Sequence, residues 1–123
     1  MIAKCCDVVH DKKDSAIDRA LAYIHIHFRD KLSIEDCAAA AGLSSGYFSR
    51  FFKAKMKMSF RLYVRKVRMA EGRRLLRETD LSVMEISFRC GIEEIRTFNR
   101  QFKEIYRCTP TQFRKSIKSG QIQ

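Results

Sequence analysis

Apolar residues recur along this chain at intervals of three and four, the signature of helices that bury one face. Ile17, Leu21, Ile24 and Phe28 fall at i, i+4, i+7 and i+11 and predict a first helix from about Ser15 to Arg29. Ser33 is an N-cap residue followed by Glu35 and Asp36, whose charges suit a helix N-terminus, and the helix that they open ends at Gly42. A third helix is expected from Ser45 to about Lys55 and a fourth from after Ser59 to about Glu78. A fifth follows Ser82 and stops at Gly91, and a sixth covers roughly Glu94 to Tyr106. The last opens at Thr109-Pro110, where proline's missing N–H costs nothing, and runs to about Lys118. The expected class is all-α with seven helices. One proline, Pro110, and five glycines argue against both disorder and a turn-rich sandwich.

The chain also repeats itself. Ser33-Ile34-Glu35-Asp36-Cys37-Ala38 has the same pattern as Ser82-Val83-Met84-Glu85-Ile86-Ser87, and Gly42-Leu43 corresponds to Gly91-Ile92, all at an offset of 49. Past the glycine the offset becomes 50: Phe48-Ser49-Arg50-Phe51-Phe52-Lys53 matches Phe98-Asn99-Arg100-Gln101-Phe102-Lys103. Ser59 then maps to Thr109 and Tyr63 to Phe113. One residue has been inserted in the second turn, where insertions cost least. This register divides the chain into a tail or linker over 1–14, a first unit over 15–57, a joining helix over 58–78, a second unit over 79–118 and a tail over 119–123, frayed from about Ser119.

In each unit a short helix, a glycine turn and a second helix follow in order. Ala38 or Ser87 sits where the helices cross, and Leu43 or Ile92 with Phe48 or Phe98 closes a small core. That is the spacing of a helix-turn-helix, whose second helix enters the DNA major groove. With Phe48, Phe51 and Phe52 turned inward, the third helix presents Ser45, Gly46, Ser49, Arg50 and Lys53. The sixth presents Ile95, Arg96, Asn99, Arg100 and Lys103. Arginine can bond guanine O6 and N7 in pairs, and asparagine can do so to adenine. Ser45, Gly46, Ser49, Arg50, Ile95, Arg96, Asn99 and Arg100 are therefore the expected base contacts, Gly46 either admitting close backbone approach or simply starting a helix. Lys53 and Lys103 suit phosphates, as does Arg65 near the start of the fourth helix. That helix, about 20 residues or roughly 30 Å long, nearly matches the ~34 Å between successive major grooves on one face of DNA.

Charge supports this reading. Lys and Arg number 25 against 14 Asp and Glu, a formal net charge of +11, which suits a polyanionic partner. No run of ~18 apolar residues is present, so no membrane-spanning helix is expected. The five cysteines form no CxxC pair, and reduced thiols in a cytoplasm are the simplest account. Cys5, Cys6 and His10 match no established metal spacing, Cys37 and Cys90 fall on inner helix faces, and His25 and His27 read as surface or packing residues. No nucleophile elbow, phosphate loop or carboxylate pair points to an enzyme, and no cofactor is expected. Two other classes stay open: a basic helical protein-interaction module, and a general nucleic-acid binder that prefers RNA.

Leu32 to Lys53, Thr79 to Ser87, Phe98 to Lys103 and Thr109 to Arg114 resemble the AraC/XylS transcription regulators, over about Ile17 to Lys118. The resemblance implies two helix-turn-helix subdomains joined by a long helix. It places the family's base-contacting positions on Gly46, Ser49, Arg50, Ile95, Arg96, Asn99 and Arg100. It further implies binding of double-stranded DNA near promoters, usually to activate transcription through RNA polymerase, and it leaves room for an effector or dimerisation domain beyond this chain. The chain departs from the family pattern in four places. Lys57 and Arg107 stand where glycine usually follows the recognition helix, Ile92 where phenylalanine is frequent, and Thr97 where an aromatic is usual.

Overall fold

The computed structural model describes residues 12–120, with side chains from residue 15 on; Cys5, Cys6, His10 and the end of the C-terminal tail lie outside them. Among the described residues there are seven helices and no strand: α1 (Lys12–His27), α2 (Ile34–Ala41), α3 (Ser45–Met56), α4 (Phe60–Glu78), α5 (Val83–Arg89), α6 (Ile95–Tyr106) and α7 (Pro110–Lys118). They gather into two compact units. Among the described residues, one holds those up to His27 together with Leu32–Phe60, and the other holds Phe28–Lys31 together with those from Arg61 to Gly120.

The first unit builds its core on small residues and phenylalanines. Ala16, Ala20 and Ile24 of α1 and Cys37, Ala38 and Ala41 of α2 are buried, so the two helices can approach closely. Phe48, Phe52 and Phe60 fill the space beyond. Phe60 meets Phe48 and Phe52 edge-on at centroid distances of 5.7 and 5.8 Å, an arrangement favoured by the ring quadrupoles. The Ser33 side chain accepts a hydrogen bond from the Asp36 N–H and starts α2, and Gly42 ends it in the left-handed conformation. Arg19 then donates to the carbonyls of Ala40 and Ala41 (3.3 and 2.8 Å), satisfying acceptors that the end of a helix leaves open.

The second unit has an aliphatic and sulfur-rich core of Met69, Leu75, Leu76, Ile86, Cys90 and Ile92 around Phe98, Phe102 and Phe113. Met69 is fully buried, although the apolar pattern of the joining helix puts Phe60, Val64, Val67, Leu75 and Leu76 forward as its anchors and leaves Met69 out. Mid-helix Gly72 is explained by its neighbour: a Cβ there would lie 2.8 Å from the Phe98 ring. A glycine inside a helix costs about 1 kcal/mol relative to alanine, and here it lets the α6 aromatic reach the axis of α4.

α1 ends at His27, two residues before the expected Arg29, because the next residues serve the second unit. The Arg68 Nε donates to the carbonyl of Phe28 (2.9 Å) and its Nη2 to that of Asp30 (3.0 Å), holding Phe28–Lys31 as a turn. Gly91 fits the same strip. Its φ is +87°, and a Cβ would lie 2.8 and 2.9 Å from the carbonyl oxygens of Phe28 and Arg29. Only glycine meets both demands.

Candidate nucleic-acid interface

Each unit ends its first helix with the same device. The N–H of Leu43 bonds the Ala38 carbonyl (2.9 Å), and the N–H of Ile92 bonds that of Ser87 (3.0 Å), so both turns close one residue after the glycine. Buried Ser87 differs from Ala38 by a hydroxyl, which donates to the Ile92 carbonyl at 2.8 Å and is thereby satisfied. The extra residue of the second turn falls between Gly91 and α6. Ser44 caps α3 by accepting from the Tyr47 N–H (3.3 Å), whereas Glu94 stands before α6 without a side-chain cap.

The second helices turn their phenylalanines inward: Phe48, Phe51 and Phe52 in α3, and Phe98 and Phe102 in α6, are all buried. The outer faces follow from helical spacing. In α3, Gly46, Ser49, Arg50 and Lys53 lie at i, i+3, i+4 and i+7 and are all exposed, with Ser45 half-buried beside them. In α6, Arg96, Asn99, Arg100 and Lys103 repeat the spacing; the three cations are exposed, and Asn99 and Ile95 are half-buried. No atom outside the local chain lies within 4 Å of where a Gly46 Cβ would stand, so the space before α3 is open.

The arginines fall into two populations. Arg19, Arg68 and Arg114 donate to backbone carbonyls, and Arg29, Arg65, Arg74, Arg77 and Arg89 pair with carboxylates. Arg50, Arg96 and Arg100 form no ion pair or hydrogen bond among the described residues, and the same holds for Lys53, Lys103 and the Asn99 amide. Arg65, the expected phosphate contact of α4, is instead half-buried beside Glu104 (3.4 Å). Exposed pairs of that kind contribute only ~0–1 kcal/mol.

Lys57 and Arg107 keep the left-handed conformation that glycine would favour, with φ of +62° and +67°. Their N–H groups bond the carbonyls of Lys53 and Lys103, so the turn geometry survives the substitution and strain is accepted. Sequence reasoning passed over Glu93 and Glu94. They are exposed at the entry to α6, where the first unit has only neutral residues, and that contrast between the repeats was the available signal.

Burial raises the Cys37 thiol to about 11, with Asp36 adding to the effect, and pushes Cys90 up to about 12, with Glu71 adding. Both are fillers rather than nucleophiles. Among the described residues no group of side chains is arranged to hold a metal ion, and no helix is long and apolar enough to cross a membrane. An open cleft of about 480 Å³ in the second unit is lined by Arg29, Glu71, Arg74, Leu75, Glu85, Phe88 and Arg89. Its arginines are already paired with its carboxylates.

Residues 37–116 match the model of a helix-turn-helix domain family, and the chain belongs to that family, in its AraC type. The family is one of DNA-binding transcription regulators, a role that is not enzymatic. The chain is 36% identical over 104 residues to the regulatory protein PocR of Salmonella typhimurium, a match covering 85% of this chain and 34% of PocR. It is 30% identical over 102 residues to the transcriptional activator RhaS of Klebsiella pneumoniae, covering 83% of this chain and 37% of RhaS. The chain thus spans about a third of the length of these curated relatives. In fold it resembles the DNA-binding domain of the global transcriptional factor AdpA, solved in complex with a target DNA (TM-score 0.80, 23% identity, 85% of this chain and 94% of that one).

Proposed function

We propose that this chain is the DNA-reading part of a transcription regulator, and that α3 and α6 enter successive major grooves of one duplex. The observation that carries the reading is the repeated arginine. Arg50 and Arg100 occupy one position of the two repeats, both exposed and both without an internal partner, in a protein whose other arginines are largely tied down. An unpaired guanidinium on an exposed helix face suits two hydrogen bonds to guanine. Ser45, Gly46, Ser49, Ile95, Arg96 and Asn99 are the further base contacts in this reading, and Lys53 and Lys103 hold phosphates. Arg65 reaches a phosphate only by leaving Glu104, a small cost for an exposed pair. The 19 residues of α4 measure about 28 Å, close to the groove repeat of ~34 Å.

The likeness to an activator favours activation through RNA polymerase, and the one-third coverage favours a signal-receiving or dimerisation domain elsewhere in the full protein. The cytoplasm, on the chromosome, is the compartment that this role requires. The 15–57, 58–78 and 79–118 division serves this reading as two readers and a spacer.

Selection of duplexes from a random library by the intact chain tests the proposal. Two distinct half-sites one helical turn apart are expected, bound at least ~10³-fold more tightly than random duplex. Arg50→Ala or Arg100→Ala then costs about 1–3 kcal/mol and relaxes base preference in one half-site. Lys53→Ala or Lys103→Ala weakens all duplexes alike and lowers the salt slope by about one unit. Equal binding of every duplex by both arginine variants and the parent, or preference for RNA, overturns the proposal.

A further inference from the structure

The two candidate reading helices are equivalent in fold but not in chemistry. Residues 43–56, which comprise the entry turn and α3, carry three cations (Arg50, Lys53 and Lys55) and no carboxylate. The matching fourteen residues 93–106 carry three cations (Arg96, Arg100 and Lys103) against three carboxylates (Glu93, Glu94 and Glu104). The first window is strongly basic; in the second the cations and carboxylates are equal in number, Glu104 being paired with Arg65 of α4 while Glu93 and Glu94 stand exposed at the entry. Base-reading capacity runs the other way. On α3, with Lys53 given to a phosphate, Arg50 is the one remaining long side chain suited to two bonds to one base, beside Ser45, Gly46 and Ser49. On α6, Arg96 and Arg100 suit guanines, the half-buried Asn99 amide suits an adenine, and Ile95 offers an apolar surface to a thymine methyl.

From this contrast, and resting on the DNA reading above, we infer a division of labour: the first unit supplies most of the sequence-independent attraction, and the second supplies most of the discrimination between sequences. Attraction to phosphates scales with the cations that displace counterions, and carboxylates at the groove edge oppose it. A helix whose own charges balance gains less from DNA in general than one that carries only cations. It is held where its polar groups meet matching bases, and a wrong base there leaves them unpaired. Uncapped Glu94 strengthens the effect, because it puts a negative charge at the entry to α6, where Ser44 puts a neutral hydroxyl before α3. The operator expected is asymmetric. One half-site is specified at three or more adjacent base pairs including guanine, adenine and thymine, and the other is specified mainly at a single guanine.

The experiment uses the intact chain and the duplex it selects from a random library. Each base pair of that duplex is replaced in turn, and binding is measured by fluorescence anisotropy at two salt concentrations. Asn99→Ala, backed by the milder Asn99→Ser, marks the α6 half-site as the positions whose preference relaxes, and Arg50→Ala marks the α3 half-site. Several positions in the α6 half-site should lose roughly tenfold or more on replacement, against one in the α3 half-site. Glu94→Gln should tighten binding to random duplex severalfold and shrink the ratio of specific to random binding, with its salt slope steeper than the parent's. Equal numbers of specified positions in both half-sites, or a Glu94→Gln variant that binds random duplex no better than the parent, overturns the inference and leaves the DNA reading standing. Selection of no sequence above random overturns that reading, and the inference with it.

Discussion

The first and second units reach the same topology by different means. The first closes with alanines and a cluster of phenylalanine rings, so its helices meet through shape. The second closes with aliphatic and sulfur-bearing side chains and adds long arginines that fasten carbonyls from distant segments. Arg114 reaches the carbonyls of Leu76, Leu81 and Thr79 at 3.3, 2.6 and 3.1 Å, where Arg19 of the first unit reaches two. A helix-turn-helix thus tolerates wide change in its core, provided that the turn and the exit of its first helix are kept. The difference also moves the vulnerable points. The first unit depends on volume, and the second on a few irreplaceable contacts.

Substitution at the paired turn glycines should separate the units most. Gly91→Ala meets both a positive φ and backbone oxygens under 3 Å away, and a loss of about 3 kcal/mol or more is expected in urea unfolding. Gly42→Ala faces only a side-chain nitrogen at 3.5 Å and should lose about 1–2 kcal/mol, the conformational cost alone. Equal losses would show that the strip beside Gly91 yields. Next comes Arg114→Ala, which leaves three carbonyls without their charged donor and should cost about 2–3 kcal/mol, against about 1 kcal/mol for Arg19→Ala. A smaller effect at Arg114 would place water on those carbonyls.

Acid should then act through the second unit. Hydrogen bonds from Arg74 and Arg29, with the charges behind them, hold the Glu71 carboxyl below the usual carboxylate range against the opposing effect of burial. A depressed folded value means that the contribution is complete above the ordinary carboxylate value and is lost as pH falls through the folded one. Glu71→Gln should therefore cost roughly 1 kcal/mol near neutrality, discounted for the exposed arginines, and flatten the loss of stability below about pH 4.5. Melting curves from pH 3 to 7 check this, and an unchanged acid limb would assign it to another carboxylate. The smallest effect expected is a gain. Lys57→Gly or Arg107→Gly relieves left-handed strain and should stabilise by about 0.5–1 kcal/mol, the greater backbone freedom of the unfolded glycine offsetting the rest. Thermal denaturation of both variants also tests whether the units respond alike.

Local features were legible in the sequence. The Ser33 and Ser82 caps, the positive φ of the two turn glycines and the Thr109-Pro110 start of α7 are set within four residues of themselves, and the inward phenylalanines recur at helical spacing, so all left a pattern in the chain. The outer faces of α3 and α6 followed from the same periodicity. What escaped depends on long-range partners. Nothing near Arg68 announces that it will hold Phe28 and Asp30, 40 and 38 positions away, and nothing near Met69 marks it as the most enclosed residue of its helix. Gly72 was a visible oddity in a helix, but its reason, the Phe98 ring, lies on another element. Glu93 and Glu94 were visible too. Their sign is opposite to the one that a DNA-binding surface calls for, so charge alone does not mark them.

The strip Phe28–Lys31 carries one more consequence. The polypeptide leaves its first unit at His27, lends four residues to the second, and returns at Leu32 before crossing over for good after Phe60. No single scissor cut therefore yields both halves intact. A gene fragment beginning at Arg61 would encode four helices with an empty seam beside Gly91, and supplying the missing tetrapeptide in trans would be the way to mend it.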